Sequence, residues 1–160
     1  MMGFLRRWAF SEDMADFIFR VLFSSIFLGL GAEHILDDRL IQNLMPAWVP
    51  FKREVSVASG LTLISGGLLV ALGYRVRLGA TILAGFLVSV TVLVHGVSVL
   101  SSPAGLPADW QWLWDVFQRS NFVKNLCLLG VCFKLFHYTP TRFTLDQFLV
   151  ARRQGLPWAD

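Results

Sequence analysis

Charge is scarce in this sequence. Asp, Glu, Lys and Arg make up 16% of its 160 residues, and 55% are hydrophobic, whereas a soluble domain carries about 25% charge. The deficit excludes an ordinary water-soluble domain, and the mean hydropathy of +0.58 points to a polytopic membrane protein. Cysteine is nearly lacking. The two present, Cys127 and Cys132, stand five positions apart on one predicted helix and point to different sides. They form neither a CxxC redox pair nor an intrahelical disulfide, and a cysteine in a lipid-buried helix is usually a small apolar filler. Histidine occurs three times, with no spacing such as His-x-x-x-His, which argues against a metal site. No low-complexity linker and no internal repeat divides the chain, so a single domain is expected. The net charge of +3 suits anionic lipid headgroups and does not suggest a nucleic-acid partner. No cleavable signal peptide is recognisable: the first apolar run is too long and ends in Glu33-His34 without an Ala-x-Ala site.

What the sequence has is apolar runs of membrane length. About 20 apolar residues cross the hydrocarbon, and four runs qualify, near residues 17–35, 54–73, 78–100 and, shortest, 122–137. The expected fold is all-α: a four-transmembrane-helix bundle with short interfacial helices in the loops and at the C-terminus. Three parts are expected: an N-terminal interfacial segment 1–16, the bundle 17–137 and an amphipathic tail 138–160. Segment 1–16 sets Phe4, Leu5, Trp8 and Phe10 beside Arg6 and Arg7, the mix of a membrane anchor. The first span carries Arg20, Ser24, Phe27, Gly31 and His34 in one helical stripe, which should face protein. The second is rich in small residues (Ser56, Ser59, Gly60, Gly66, Gly67, Gly73), which let helices approach closely inside lipid. Tyr74-Arg75-Val76-Arg77 is a tight basic connector. On the third span Thr81, Gly85, Val88, Val92 and His95 share one face. Trp48, in a loop broken by Pro46 and Pro50, and Trp110, Trp112 and Trp114 read as headgroup-level anchors, the last three on a short helix lying in the interface. Thr144-Leu145-Asp146-Gln147 fits a capping box at the start of a surface helix that Gly155 ends.

Four spans put both termini and the basic connector on one side. That side holds Arg6, Arg7, Arg75, Arg77, Arg142, Arg152 and Arg153, against Arg39, Lys52, Arg53 and Arg119 on the other. The bias places both termini in the cytoplasm of a bacterial inner membrane. The opposite ends then share one layer: Glu33 and His34, Glu54, His95, and the set Asn121, Lys124, Asn125, which lies i, i+3, i+4 on one helix face. Helix ends are where polar residues ordinarily sit. The convergence nevertheless describes a shallow pocket, with His34, Glu54, His95, Asn121, Lys124 and Asn125 as candidate ligand-binding residues. A lysine in a membrane-length run costs roughly 2.5–3.5 kcal/mol at mid-bilayer, so Lys124 is expected to pair with Glu54 or Glu33.

At these residues the chain resembles a known family. Arg20 with Gly31 and His34, Gly66-Gly67, the Arg75/Arg77 turn, Asn121-Phe122-Val123-Lys124-Asn125-Leu126 with Gly130, and Arg142-Phe143-Thr144-Leu145-Asp146 look like the DoxX family of four-helix membrane proteins. The chain departs from the family pattern before Arg142, where Thr139-Pro140-Thr141 replaces a Gly-x-Gly. The resemblance implies a role beside redox chemistry. Relatives include the membrane subunit of a quinone-linked thiosulfate oxidoreductase and members of oxidative-stress complexes, and eukaryotic cargo receptors are more distant. The expectation is a membrane subunit or accessory factor of a quinone-linked redox complex, not catalytic alone. No intrinsic cofactor is evident, and a quinone is the candidate ligand. Membrane lipids and other membrane subunits are the expected partners. The alternatives are a non-catalytic scaffold or assembly factor using the Trp110–Trp114 cluster and, more weakly, a small-molecule transporter, for which no discontinuous helix is evident.

Overall fold

The computed structural model describes residues 11–46, 48–102 and 105–156, and the aromatic and basic residues of the expected N-terminal anchor, 4–10, lie outside them. Every regular element among the described residues is helical. Helix α1, Glu12–Leu36, is capped by Ser11, whose hydroxyl accepts from Met14 N–H at 3.2 Å, with Glu12 and Asp13 favourable in the first turn. A short α2, Asp38–Leu44, leads to α3, Lys52–Ala71. A turn then opens α4, Val76–Val90, which continues through a π-helical stretch, Thr91–Gly96, into α5, Val97–Leu100. Helix α6 is Ala108–Leu135 and α7 is Leu145–Gln154.

Three of these segments are long and apolar enough to cross a membrane: Glu12–Leu36, Lys52–Ala71 and Val76–Leu100, with mean hydropathies of 1.6, 1.6 and 2.2. Lipid-facing side chains such as Leu22, Leu61, Leu68, Val88 and Val92 are exposed around them. The chain is a membrane protein.

The helices pack in chain order: α1 on α3, α3 on α4, and α4 with its π stretch on α6. The small residues of α3 make this possible. A Cβ on Gly31 would stand 2.8 Å from Ile64 Cγ1 and 3.0 Å from Gly60 O, and one on Gly60 would stand 2.8 Å from Gly31 O. Gly67 faces Phe27 and Leu28 of α1, while Gly66 faces Leu83 and Gly79 of α4. Two adjacent glycines therefore let one helix sit tightly between two neighbours, which is how helices associate without a hydrophobic drive. The predicted stripe on α1 faces protein as expected, with Arg20, Ser24, Phe27 and Gly31 buried and His34 half-buried. The buried interior runs on through Leu63, Val70, Ala80, Leu83, Leu87 and Cys132, while Cys127 points outward.

One expectation is corrected. The Trp-rich segment is no separate interfacial helix. It is the first part of α6, which runs unbroken for 28 residues, about 42 Å at 1.5 Å per residue. Pro103, Gly105 and Pro107 all precede it, and neither proline nor glycine occurs again before Gly130. The polar stretch Gln118–Asn121 marks a change of surroundings and contains no helix breaker. Trp48, Trp110 and Trp112 are 58%, 58% and 65% exposed, and Trp114 is half-buried.

Candidate functional site

The two ends of the helix assembly differ in chemistry. At the end that holds the start of α1 and the C-terminal tail, the centre is Arg20. Its side chain is fully buried. Nε donates to Asp16 Oδ2 at 2.9 Å, Nη1 to Ala71 O at 2.7 Å and Val70 O at 3.4 Å, and Nη2 to Phe143 O at 2.6 Å. Asp16 Oδ2 also accepts from Tyr138 Oη and Thr141 Oγ1, each at 2.7 Å. Burial, helped by this hydrogen bond to Asp16, pushes the Tyr138 hydroxyl up to about 12. Gly73 takes a left-handed backbone beneath Arg20, and a Cβ there would meet Arg20 Nη1 and Thr144 at 2.7 Å. The tail is laid across this turn by backbone bonds: Leu145 N–H to Leu72 O at 2.9 Å and Asp146 N–H to Gly73 O at 3.2 Å. Asp146 Oδ2 accepts from Arg75 N–H at 2.9 Å. Thr144 caps α7 by accepting from Gln147 N–H at 3.3 Å, while the Gln147 amide reaches Pro140 O, so the expected capping box forms on its threonine side. Around Arg20 this end is a structural knot whose partners satisfy one another.

The opposite end holds the sequence-predicted candidates, in separate pairs. His34 Nδ1 is 3.2 Å from Ser56 Oγ, and that hydroxyl donates to His34 O at 3.1 Å, joining α1 to α3. His95 Nδ1 is 2.7 Å from Oε1 of the buried Gln118, joining the π stretch to α6. The His95 tautomer that donates from Nδ1 fits this carbonyl oxygen. Nearly two turns along α6 from Gln118, Lys124 Nζ donates to Asn121 Oδ1 at 2.6 Å, and the ammonium lies within electrostatic reach of His95. Asn125 is buried on the same helix, and Trp114 Nε1 reaches Ser98 O at 3.4 Å. The structure thus brings His95, Asn121, Lys124 and Asn125 onto one side of the assembly, around the π stretch and α6.

It does not join the carboxylates to them. Glu33 and Glu54 are exposed, and among the described residues neither forms an ion pair with Lys124. The expected Lys124–glutamate pair is replaced by the Asn121 carboxamide, three residues away on the lysine's own helix. The physical reason is packing order: α6 packs against α4 and its π stretch, and not directly against α1 or α3, which carry the glutamates.

Two features escaped sequence reasoning. Gln118, which falls between the Trp-rich segment and the expected fourth span, is the buried partner of His95. The π stretch has no sequence signature, yet it decides where His95 points. The face Thr81, Gly85, Val88, Val92 is exposed along α4. Widening the turn by one residue takes His95 off that line and toward α6. Such π insertions are frequent at functional positions.

The DoxX family model matches residues 15–96, slightly more than half of the chain, covering α1 through the π stretch. No curated protein and no solved structure is similar enough to this chain to match it.

Proposed function

This chain belongs to the DoxX family, and from that premise we propose that it is an integral membrane subunit or accessory factor of a quinone-linked redox complex. In this reading the apolar second half of α6 makes a fourth crossing. The arginine excess puts both termini on the cytoplasmic side of a bacterial inner membrane, and the Lys124 end lies toward the opposite leaflet. The chain binds, and the partner subunits supply the catalysis.

The observation that carries this reading is a surplus of donors. Lys124 and His95 form no ion pair with a carboxylate among the described residues, and the side-chain partner of each is a carboxamide oxygen. An ammonium brings three donors and Lys124 spends one on Asn121, so donor capacity remains for a ligand that only accepts, while His95, whose Nδ1–H is spent on Gln118, borders the site. A quinone is such a ligand: two carbonyl oxygens on an apolar ring. When bound, the quinone supplies the electron-accepting chemistry; Lys124, Asn121, His95 and Gln118 would orient it.

The test is binding of a short-chain ubiquinone analogue to protein in lipid nanodiscs, followed by equilibrium dialysis. Lys124→Ala should weaken binding about 10- to 100-fold, since a hydrogen bond to a charged group contributes about 1.5–3 kcal/mol, and His95→Ala should weaken it by less, since its N–H is spent on Gln118. Glu54→Gln should leave it unchanged. Equal binding by parent and both alanine variants would dismiss the site. A second reading, a scaffold that holds a partner through α6, is favoured by the exposed rings of Trp110 and Trp112. A redox partner lost from mild-detergent pull-down on Trp110→Ala/Trp112→Ala, with quinone binding intact, would favour it.

A further inference from the structure

We propose that the turn between α3 and α4 is a specific site for the headgroup of an anionic phospholipid, gripped by Arg75 and Arg77. A notch of about 220 Å³ opens here, lined by Arg75, Val76, Arg77, Tyr138, Pro140 and Asp146. Two guanidinium groups border it and neither is ion-paired among the described residues. The Arg77 side chain spends one donor, Nε, on Tyr138 O at 3.1 Å. Arg75 lies over the Tyr74 ring, 5.4 Å from its centroid, and its guanidinium donates no hydrogen bond among the described residues. The one carboxylate in the notch, Asp146, is engaged by the backbone N–H of Arg75. It therefore neutralises neither side chain directly.

The turn that carries the arginines is held in place. Arg75 has a left-handed backbone, φ 47°, and the turn is bolted to the tail through Leu72, Gly73 and Asp146. A planar guanidinium matches phosphate oxygens bidentately, and a fixed pair spends less ordering entropy on binding than two free surface arginines would. Position selects the lipid over free phosphate. The turn closes a hairpin of two membrane-crossing helices, which puts it at headgroup depth. Leu72 and Leu78, 54% and 47% exposed, flank it on the two helices. Phosphate thus meets the arginines while acyl chains lie along leucine. Basic groups at this depth attract anionic lipid, and the net positive notch favours it over a zwitterionic one.

The experiment is native mass spectrometry of the full chain in mild detergent with equal phosphatidylglycerol and phosphatidylcholine. The parent should retain phosphatidylglycerol selectively. Arg75→Gln/Arg77→Gln should lose it, by about fivefold per arginine. Arg75→Gln alone should show its share, and because that guanidinium donates no hydrogen bond among the described residues and only overlies the Tyr74 ring, an unchanged melting curve should accompany the loss. Arg152→Gln/Arg153→Gln, which removes the same charge from α7 at the same end, should keep the lipid. Equal loss in both double variants would mean general attraction to charge and would overturn the site, as would a parent with no preference between the lipids. Displacement by equimolar inorganic phosphate would make this a free-phosphate site and overturn the lipid assignment.

Discussion

Replacing Arg20 with methionine should release the C-terminal tail while leaving the helices assembled. Methionine keeps much of the stem's volume and removes the guanidinium. Three kinds of partner are then stranded. Asp16, only 15% exposed, loses its cation. Ala71 O and Phe143 O lose donors at 2.7 and 2.6 Å. Val70 O suffers least, because Gly73 N–H also reaches it at 3.1 Å. Breaking a buried pair typically costs about 3–5 kcal/mol. Asp16 keeps the Tyr138 and Thr141 hydroxyls, which pulls the figure down, while the two stranded carbonyls push it up. A loss of about 4 kcal/mol is expected, a large share of the roughly 5–15 kcal/mol that holds a domain together. Because Phe143 O belongs to the tail, the loss should show there first. Limited trypsin digestion at Arg152 and Arg153 reads tail release, and a detergent melting curve reads global stability. Asp16→Asn in the Arg20→Met background should recover part of the loss, since it removes the stranded charge and leaves oxygen for Tyr138 and Thr141. If Arg20→Met melts like the parent and its tail is cut no faster, the guanidinium does not hold this end and the reasoning fails.

Three further outcomes follow from named contacts. Gly31→Ala should cost about 1–3 kcal/mol by overpacking, because its Cβ meets Ile64 and the Gly60 carbonyl, whereas Gly85→Ala, with nothing within 4 Å, should be neutral; equal melting of the two would refute the close α1–α3 crossing. The Tyr138 proton is held more tightly folded than unfolded, with a pKa of about 12 against about 10 for a free tyrosine; its contribution is therefore complete below about pH 10 and lost as pH rises through 12. Phenolate absorbance of the parent should show a late transition that Tyr138→Phe removes. Lys124→Ala should cost no more than about 1.5 kcal/mol, the scale of one hydrogen bond, and Glu54→Gln should not change that cost; coupling between them in a double-mutant melt would restore the ion pair that the structure replaces with Asn121.

Much of the fold was legible because it rests on short-range pattern. The α1 stripe recurs at helical spacing, so its protein-facing side could be read directly. The crowding of small residues on α3 announced close packing, and Thr144 and Gly155 bracket a helix because caps are local chemistry; Gly155 indeed takes φ 65°. The continuity of α6 was hidden because polarity was read as a break, although polarity moves a helix surface and only a breaker ends it. Arg20 was legible as a member of the stripe and not as a hub. Its i, i+4 partner Asp16 stood in plain view four positions earlier, but its other partners lie 50 to 123 positions away. They are backbone carbonyls, which carry no residue identity for a sequence to display.

Lys124 misled for a related reason. Segment order placed it rightly at the end opposite the termini, but order along the chain does not say which helices touch. The glutamates share its end and ride on helices that α6 does not pack against. The result is an asymmetry in how charge is satisfied. At one end a buried arginine finds a carboxylate of its own helix and three carbonyls, and the bonds to the carbonyls tie a neighbouring helix and the tail in place. At the other end a half-buried ammonium has one carboxamide of its own helix, beside an imidazole set by a π turn. A fully matched charge is a fastener, because any ligand would have to break protein bonds to reach it. An incompletely matched one leaves donors for something the chain does not supply. On that ground Arg20 belongs to the architecture, whereas Lys124 keeps donors that its one carboxamide partner does not take up.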